Sequence, residues 1–598
     1  MSETKEKANI TLTNSLVAEQ LEETATYLRL AGANDFKAIA FDRAARTIEG
    51  LDEDINDIIR DEKLTDIKGI GKSIAQDIYK MAALGEIPAL TDLKQQVPEG
   101  LVNWLNISGL GPKKIYKIHK ELGITEIGEL REKCEDGSVA SLSGMGKKSA
   151  EKILKSIDWM EQFSERCRLD EAMAIADRMY TALKDLDGVQ QIDVAGSLRR
   201  RAETIGDIDI LIAADKEAAP KIFDTFTNLD TVMEILGRGD TKSSVRTSEG
   251  RQVDLRVVEP DQFAAALMYF TGSKEHNVGM RQRARDKKLT LNEYGLFHMD
   301  DSGNTDFDKP VKTTTEEDIY KELGLGFVPP ELREDRGEFA FFEKHSLDEA
   351  KLLEEKDIKG ILHAHSTWSD GKKSIHEMAE ACMERGYEYL GITDHSKTAA
   401  YAGGLTIEQV KQQWEEIDEL NKRFKGEGKN FRIFKGIESD MLQDGSLDYP
   451  EEILEGFDFV IASLHASLDM PPEQMLERYT KAIENPHTRI VGHPTARLLL
   501  KRDGSKVDIN RMIELAAEHN TAIEINASPW RLDIDWRYGQ KAKKEAMMTA
   551  ICPDAHDIPG LDDVTYGVAI ARKGWFSKDR VINTMSADEL EKWFNKKW

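Results

Sequence analysis

What this chain lacks narrows the field first. Among its 598 residues are four cysteines, Cys134, Cys167, Cys382 and Cys552, with no C-x-x-C pair. That spacing supports neither a disulfide framework nor a zinc ribbon, and a reducing compartment is expected. Long apolar runs are missing, and the opening "MSETKEKANITLTN" has no apolar signal core. The sequence therefore reads as a soluble, cytoplasmic protein with no contact to a membrane. Positive charge is in deficit, with 82 Lys and Arg against 109 Asp and Glu and a net charge of −27. A uniformly basic surface is excluded, so any grip on nucleic acid has to be local and steeply salt-dependent. The stretches available for it are "LRRR" at 198–201, Lys113 with Lys114, Lys147 with Lys148, and "RQRARDKK" from Arg281.

The length is enough for several domains. Up to about residue 160 the chain reads as helices broken by glycine turns, and the turns repeat: "GIGKSIAQDI" from Gly69, "GLGPKKIYKI" from Gly109 and "GMGKKSAEKI" from Gly144. Each pair, Gly69 and Gly71, Gly109 and Gly111, Gly144 and Gly146, opens a helix. Its unblocked N–H groups and positive dipole end can face one phosphate. A packing turn that needs glycine for positive φ is the structural alternative for a single copy; three copies favour phosphate. A nucleotide-binding P-loop is excluded, because "DIKGIGKS" has Asp66 where that motif requires glycine.

From about 168 to 260 alternating strands indicate mixed α/β structure. In "AGSLRRRAETIGDIDILIA", residues 195–213, an extended backbone puts Asp207 and Asp209 on one face and Ile208, Ile210 and Ile212 on the other. Neighbouring carboxylates on a half-buried strand repel unless a cation lies between them. Asp254, in the apolar "RQVDLRVVE", completes a triad of hard oxygen ligands suited to two Mg²⁺ or Mn²⁺ ions. Ser197, Arg200 and the Gly206 backbone are near enough in sequence to hold a triphosphate. The alternative is the acidic solvent face of an edge strand. Residues 261–337 are expected as helix and turn; Pro329 and Pro330, followed by "ELREDRGE", mark a boundary leading into a linker that runs to about 358.

Beyond 359, seven apolar runs end in polar residues: "GILHAH", "YLGITDH", "FRIFKGIES", "FDFVIASLH", "RIVGHP", "AIEINAS" and "AICPDAH". Parallel strands of a barrel read this way, with functional side chains at their C-terminal ends. Nine ligand-type residues would converge there: His363, His365, Asp370, His395, Glu438, His465, His493, Asp554 and His556. Imidazole mixed with carboxylate suits Mn²⁺, Zn²⁺ or Fe and phosphoester hydrolysis. His376, His487 and His519 lie on helical or loop stretches and are expected to be ordinary surface or core residues.

Two resemblances follow from these motifs. "GSLRRRAETIGDID", "VDLRVV", "YFTGSKEHN" and "NEY", in that order, resemble the palm and thumb of X-family DNA polymerases, the DNA polymerase beta group, over residues 1 to about 337. The glycine repeats are similar to helix-hairpin-helix motifs, which grip backbone phosphates with K⁺ or Na⁺. The resemblance implies two metals on Asp207, Asp209 and Asp254, and triphosphate on Ser197 and Arg200. It places the sugar against Tyr269, Phe270 and Gly272, and Asn277 facing the incoming base. Lyase-competent members carry lysines where this chain has Ser73 and Asp77, so deoxyribose-phosphate lyase activity is expected to be absent or weak. The H-x-H cluster resembles the PHP domain, over residues 359 to about 590, whose nine ligands bind three metals.

The implied architecture is a helix-hairpin-helix DNA-binding domain (1–95), a fingers-like helical domain with two further repeats (96–167) and an α/β nucleotidyltransferase palm (168–260). A nucleotide-binding thumb (261–337), a linker (338–358) and a barrel-like (β/α)7 PHP domain (359–598) follow. The implied function is gap filling in DNA repair by a monomer acting on gapped or primer-template DNA with dNTPs, coupled to a 3′-5′ exonuclease. A small-molecule phosphatase fused to a polymerase, and a DNA-binding scaffold with inactive sites, are the competing readings.

Overall fold

The computed structural model describes residue 12, residues 14–163 apart from 34, 50, 52–54, 68, 85–86 and 108–109, and residues 166–300 and 304–596. The chain divides into two compact units, Met1–Ser164 and Glu165–Trp598.

The first unit is helical. Helix Asn14–Leu30 buries Val17, Leu21, Ala25 and Leu28, three or four residues apart, and packs them against Phe41, Ala45 and Ile48 of helix Asp35–Glu49. A second core gathers Trp104, Ile115, Ile118, Leu130, Ile153 and Ile157. Glycine turns lead into helices Lys72–Leu84, Pro112–Leu122 and Lys147–Phe163.

The second unit begins with a mixed five-stranded sheet. Its strands are β1 (Val189–Val194), β2 (Asp207–Ala214), β3 (Val232–Arg238), β4 (Lys242–Thr247) and β5 (Gln252–Val258), ordered β1-β2-β5-β4-β3. Ile208, Ile210 and Ile212 fill the core under helices Leu169–Leu183 and Ala219–Thr227. The opposite face of β2 is split. Leu211 and Ala213 are covered by Phe263, Ala266 and Leu267 of helix Phe263–Thr271, while Asp207 is left exposed.

Residues 261–337 differ from the expected helix and turn. After helices Phe263–Thr271 and Lys274–Asp286, a three-stranded antiparallel sheet forms from β6 (Leu289–Asn292), β7 (Gly295–Met299) and β8 (Thr305–Val311). β8 spells "TDFDKPV", mostly polar and exposed, so its pairing rests on the backbone ladder and leaves little apolar alternation to read. The segment expected as a linker is packed, with Glu338, Phe342, Ala350 and Leu353 all buried.

Seven parallel strands follow in chain order: β9 (Gly360–Ala364), β10 (Tyr389–Ile392), β11 (Arg432–Asp440), β12 (Phe459–Ser463), β13 (Thr488–Val491), β14 (Ala522–Asn526) and β15 (Thr549–Cys552). They make a nearly closed barrel. Its seam is bridged by the buried side chain of Asn583, which donates to Gly360 O at 3.1 Å and Ile551 O at 2.9 Å and accepts from Ile551 N at 2.7 Å. One amide thereby satisfies backbone groups that the open edges of β9 and β15 would leave unpaired. The barrel docks on the palm through Arg497, 2.8 Å from Glu203, and through Trp530, whose ring lies 3.6 Å from the Arg168 guanidinium.

Candidate active sites

The palm site is made by strand pairing. β2 runs parallel to β5 with Asp209 opposite Asp254 and Asp207 opposite Gln252, so three carboxylates share one face. One oxygen from each lies within 4.8 Å of the others. Burial, then the charges of Asp207 and Asp254, push Asp209 up to about 7. Asp254 is buried too, but Lys242 Nζ at 2.6 Å and Gln252 Nε2 at 3.0 Å overcome that burial and hold it below the ordinary range. Lys242 and Arg256 against three clustered acids still leave the face short of positive charge. Hard oxygen ligands in this state suit a divalent cation. Gly196, which motif reading passed over, is what lets the turn approach: its φ is +62°, and a Cβ there would lie 2.3 Å from Asp209 Oδ2.

The residues expected around the nucleotide lie along the palm–thumb junction. Ser197 is in the short helix Gly196–Arg199. Arg200 donates from Nη1 to Thr271 O at 2.6 Å and from Nε to Glu334 Oε1 at 3.1 Å. Gly272, at φ +71°, admits that arginine, since a Cβ would lie 3.2 Å from Nη1. Gly206 lies against Arg166, with Nη1 3.3 Å from where a Cβ would be. Tyr269 and Phe270 meet edge to face at 5.3 Å, and the Arg256 guanidinium lies 4.3 Å over Phe270. Asn277, expected to face a base, is 8% exposed and its Nδ2 donates to Tyr269 O at 2.7 Å. It thus serves a carbonyl near the end of the preceding helix, and its buried Oδ1 has no partner.

At the barrel mouth, eight of the nine expected ligands fall into three overlapping groups: His365, Asp370, His395 and His556; His363, His365 and Asp554; His395, Glu438 and His465. His493 joins through Glu438, with Nε2 2.9 Å from Oε1. Burial works against the His395 charge, but Glu438 and Asp370 overcome it and lift His395 to about 11; Glu438 and Asp554 are held well below their ordinary values. His363 Nε2, His365 Nδ1 and Glu438 Oε2 are buried and make no hydrogen bond. Buried polar atoms aimed at a common centre, from a donor set of imidazole and carboxylate, fit metal ions. His363, His493 and Asp554 also have positive φ, at 68°, 23° and 56°. Such strain persists where surrounding structure over-determines it.

The sequence reading missed the support around these ligands. Glu524, fully buried on β14, lies 2.6 Å from His363 Nδ1 and also accepts from His493 N. Asp440, at the end of β11, holds His465 Nδ1 at 2.5 Å. Carboxylates that orient ligating imidazoles are the usual outer layer of a metal site. Both left a signal: Glu524 is an acid within a mostly apolar strand, and Asp440 follows Glu438 by two residues on one strand face. Arg531 Nε lies 3.8 Å from Asp554 Oδ2. His376 pairs with Glu380 at 3.4 Å and His487 with Glu451 at 2.7 Å, and neither joins the cluster; His519 caps helix Ile509–Glu518.

In the helical unit, Gly69 and Gly144 have φ of +108° and +79°. At Gly71, Gly111 and Gly146 nothing lies within 4 Å of where a Cβ would be, so the backbone entering each helix is bare. Gly109 lies outside the described residues.

Family models match in chain order. A helix-hairpin-helix domain matches residues 12–87, a SAM-like helix-hairpin-helix tandem 104–158, DNA polymerase beta palm 166–244, DNA polymerase beta thumb 266–334 and PHP domain 362–528. The chain is 24% identical over 341 residues to DNA polymerase lambda of Rattus norvegicus, covering 54% of this chain and 56% of that one. It is 29% identical over 244 residues to a probable phosphatase of Thermoanaerobacter sp., covering 38% of this chain and 91% of that one. To the DNA polymerase/3′-5′ exonuclease PolX of Bacillus subtilis (strain 168) it is 41% identical over 574 residues, 96% of this chain and 97% of that one. With polymerase palm and thumb, helix-hairpin-helix repeats and a carboxy-terminal PHP barrel in one chain, it belongs to the PolX family of X-type DNA polymerases.

Proposed function

We propose that the chain fills short gaps in DNA, extending a primer at Asp207, Asp209 and Asp254 and trimming unextendable 3′ ends at the barrel cluster. The observation that carries the reading is the β2–β5 pairing, which assembles three acids on one face with Lys242 against Asp254. Two divalent cations there, Mg²⁺ or Mn²⁺, would neutralise the acids and clamp the attacking and leaving oxygens of an in-line displacement. The chain's own groups do the positioning. Ser197, Arg200 and the Gly206 backbone hold triphosphate, Tyr269, Phe270 and Gly272 cradle the sugar, and Asn277 lies beside the base. At the barrel, three ions of the Mn²⁺, Zn²⁺ or Fe type on the nine ligands would polarise the phosphodiester, with Arg531 orienting it. The bare hairpin glycines hold backbone phosphates of gapped or primer-template DNA, with K⁺ or Na⁺. The enzyme acts in the cytoplasm as a monomer.

The test is a 5′-labelled primer on a one-nucleotide-gapped duplex with Mn²⁺, with and without dNTPs. Asp209→Ala is expected to abolish extension and spare shortening, and His365→Ala to do the reverse. Loss of both activities in folded Asp209→Ala would refute two separate sites. The probable phosphatase matched over 91% of its own length and 38% of this chain favours one second reading, a small-molecule phosphatase. Hydrolysis of small phosphomonoesters without shortening of DNA would establish it.

A further inference from the structure

Helix Val564–Lys573 belongs to the outer layer of the barrel, yet its last side chain ends in the polymerase half. Lys573 is 2% exposed, and its Nζ donates to Glu334 Oε1, to Arg200 O at 3.1 Å and to Glu331 O at 3.4 Å. Glu334 Oε1 is also the acceptor for Arg200 Nε. One carboxylate oxygen is therefore shared by the arginine at the nucleotide site and a lysine from the other catalytic domain. The neighbouring Arg572 pairs with Glu331, and the Trp536 ring lies 4.6 Å from Lys573 Nζ, so the lysine is clamped from several sides.

The charge balance gives the contact a consequence. Arg200 alone against Glu334 would be a closed ion pair with little attraction left for an anion. A second cation on the same oxygen leaves the trio with a net positive charge. Burial opposes the Glu334 charge, but Lys573 and Arg200 together hold the carboxyl below its ordinary range. Buried charges at this separation interact strongly. Thr271 O fixes Arg200 Nη1, so the guanidinium is already oriented.

We propose that Lys573 of the barrel domain is a positioning residue of the polymerase site, neutralising Glu334 so that Arg200 can attract the triphosphate of the incoming nucleotide. Nucleotide affinity in the palm is thereby coupled to docking of the PHP domain. The inference rests on the reading of Arg200 as a triphosphate ligand.

The experiment is single-nucleotide extension of a gapped duplex by the full chain across dNTP concentrations. Lys573→Met is expected to raise dNTP KM about tenfold, the scale of coupling between neighbouring charges, with a smaller change in kcat. Lys573→Gln keeps donors for the two carbonyls but not the charge, and should show the same rise. Adding Glu334→Gln to Lys573→Met should bring KM back toward wild type. Mn²⁺-dependent shortening at wild-type rate verifies that each variant is folded. A wild-type KM in Lys573→Met, or its recovery in Lys573→Gln, would overturn the proposal. Arg200→Ala separates the two levels. If it too has a wild-type KM, the triphosphate reading falls and takes the inference with it; if its KM rises while both Lys573 variants stay put, the inference alone falls.

Discussion

The two acid clusters of this chain are built on opposite electrostatic plans. In the palm, three carboxylates from two adjacent strands face one another with only Arg256 and Lys242 to offset them, and Asp209 is pushed up to about 7 by burial and by its neighbours. In the barrel, Glu438 has four imidazoles at 2.9 to 3.4 Å, those of His363, His395, His465 and His493. The palm needs charge from outside; the barrel cluster largely balances its own. Removing an acid should therefore relieve strain in the first site and create it in the second.

The largest expected effect follows directly. Glu438→Gln, measured by urea unfolding of the full chain in chelator, should lose about 3–5 kcal/mol, because it leaves buried imidazoles without their carboxylate. Asp209→Asn under the same conditions should be neutral or stabilising by about 1 kcal/mol, since it removes a desolvated, repelled charge. Equal losses in the two variants would break the comparison.

A third arrangement, charges matched within the protein, sharpens it. Glu316 is buried between Arg199, 2.7 Å away, and Arg333, 2.6 Å away. Burial raises its carboxyl, but Arg333 and Arg199 outweigh that and bring it from 4.5 to about 2. A depressed carboxylate contributes stability above its unfolded value, and that stability is lost as pH falls through the folded one. The contribution, about 3 kcal/mol, should be intact above pH 5 and should fade between about pH 4.5 and 2. Unfolding free energies of wild type and Glu316→Gln should then converge in that window. Parallel curves would show that the arginines do not hold the carboxylate down.

A smaller effect is expected from the turn beneath Asp209. In Gly196→Ala the new methyl would meet Oδ2 at 2.3 Å and the residue would keep an unfavourable positive φ. Displacing a catalytic group by about 1 Å costs on the order of 100-fold in rate, so extension should fall by that scale while shortening continues. Wild-type extension would mean that the turn yields and Asp209 is not held by it.

The same contrast explains what the sequence made legible. "GDID" and "LHAH" announce themselves because acids and histidines interrupt apolar strands at a spacing that fixes their face; the palm cluster assembles where β2 and β5 begin, the barrel cluster where its strands end. Glu524 used the same grammar and was overlooked because it stands alone; Asp440 was overlooked although it follows the expected ligand Glu438 by two residues on one strand. β6 to β8 were hidden because a polar antiparallel sheet carries little alternation. Lys573 was unreadable for a different reason. It sits at the end of an amphipathic helix, and only docking of two domains gives its charge a partner more than two hundred residues away in sequence.

The smallest effect concerns a site expected to lack its nucleophile rather than to be unbalanced. On helix Lys72–Leu84, the family resemblance implies lysines at the positions of Ser73 and Asp77 for lyase activity, and neither a hydroxyl nor a carboxylate can form an imine with an abasic sugar. Lys80 lies three residues beyond Asp77, about 4.5 Å further along the axis and rotated by about 60°. Asp77 is raised by burial against the pull of Lys80 and Lys37, which places amines around the carboxylate but not at its position. Borohydride trapping on an incised abasic duplex should therefore give little covalent product with the wild-type chain and clearly more with Asp77→Lys. If the wild type trapped as well as that variant, a neighbouring lysine would be supplying the amine, and the helix would tolerate a displaced nucleophile in a way the two metal-type sites, fixed by strand register, do not.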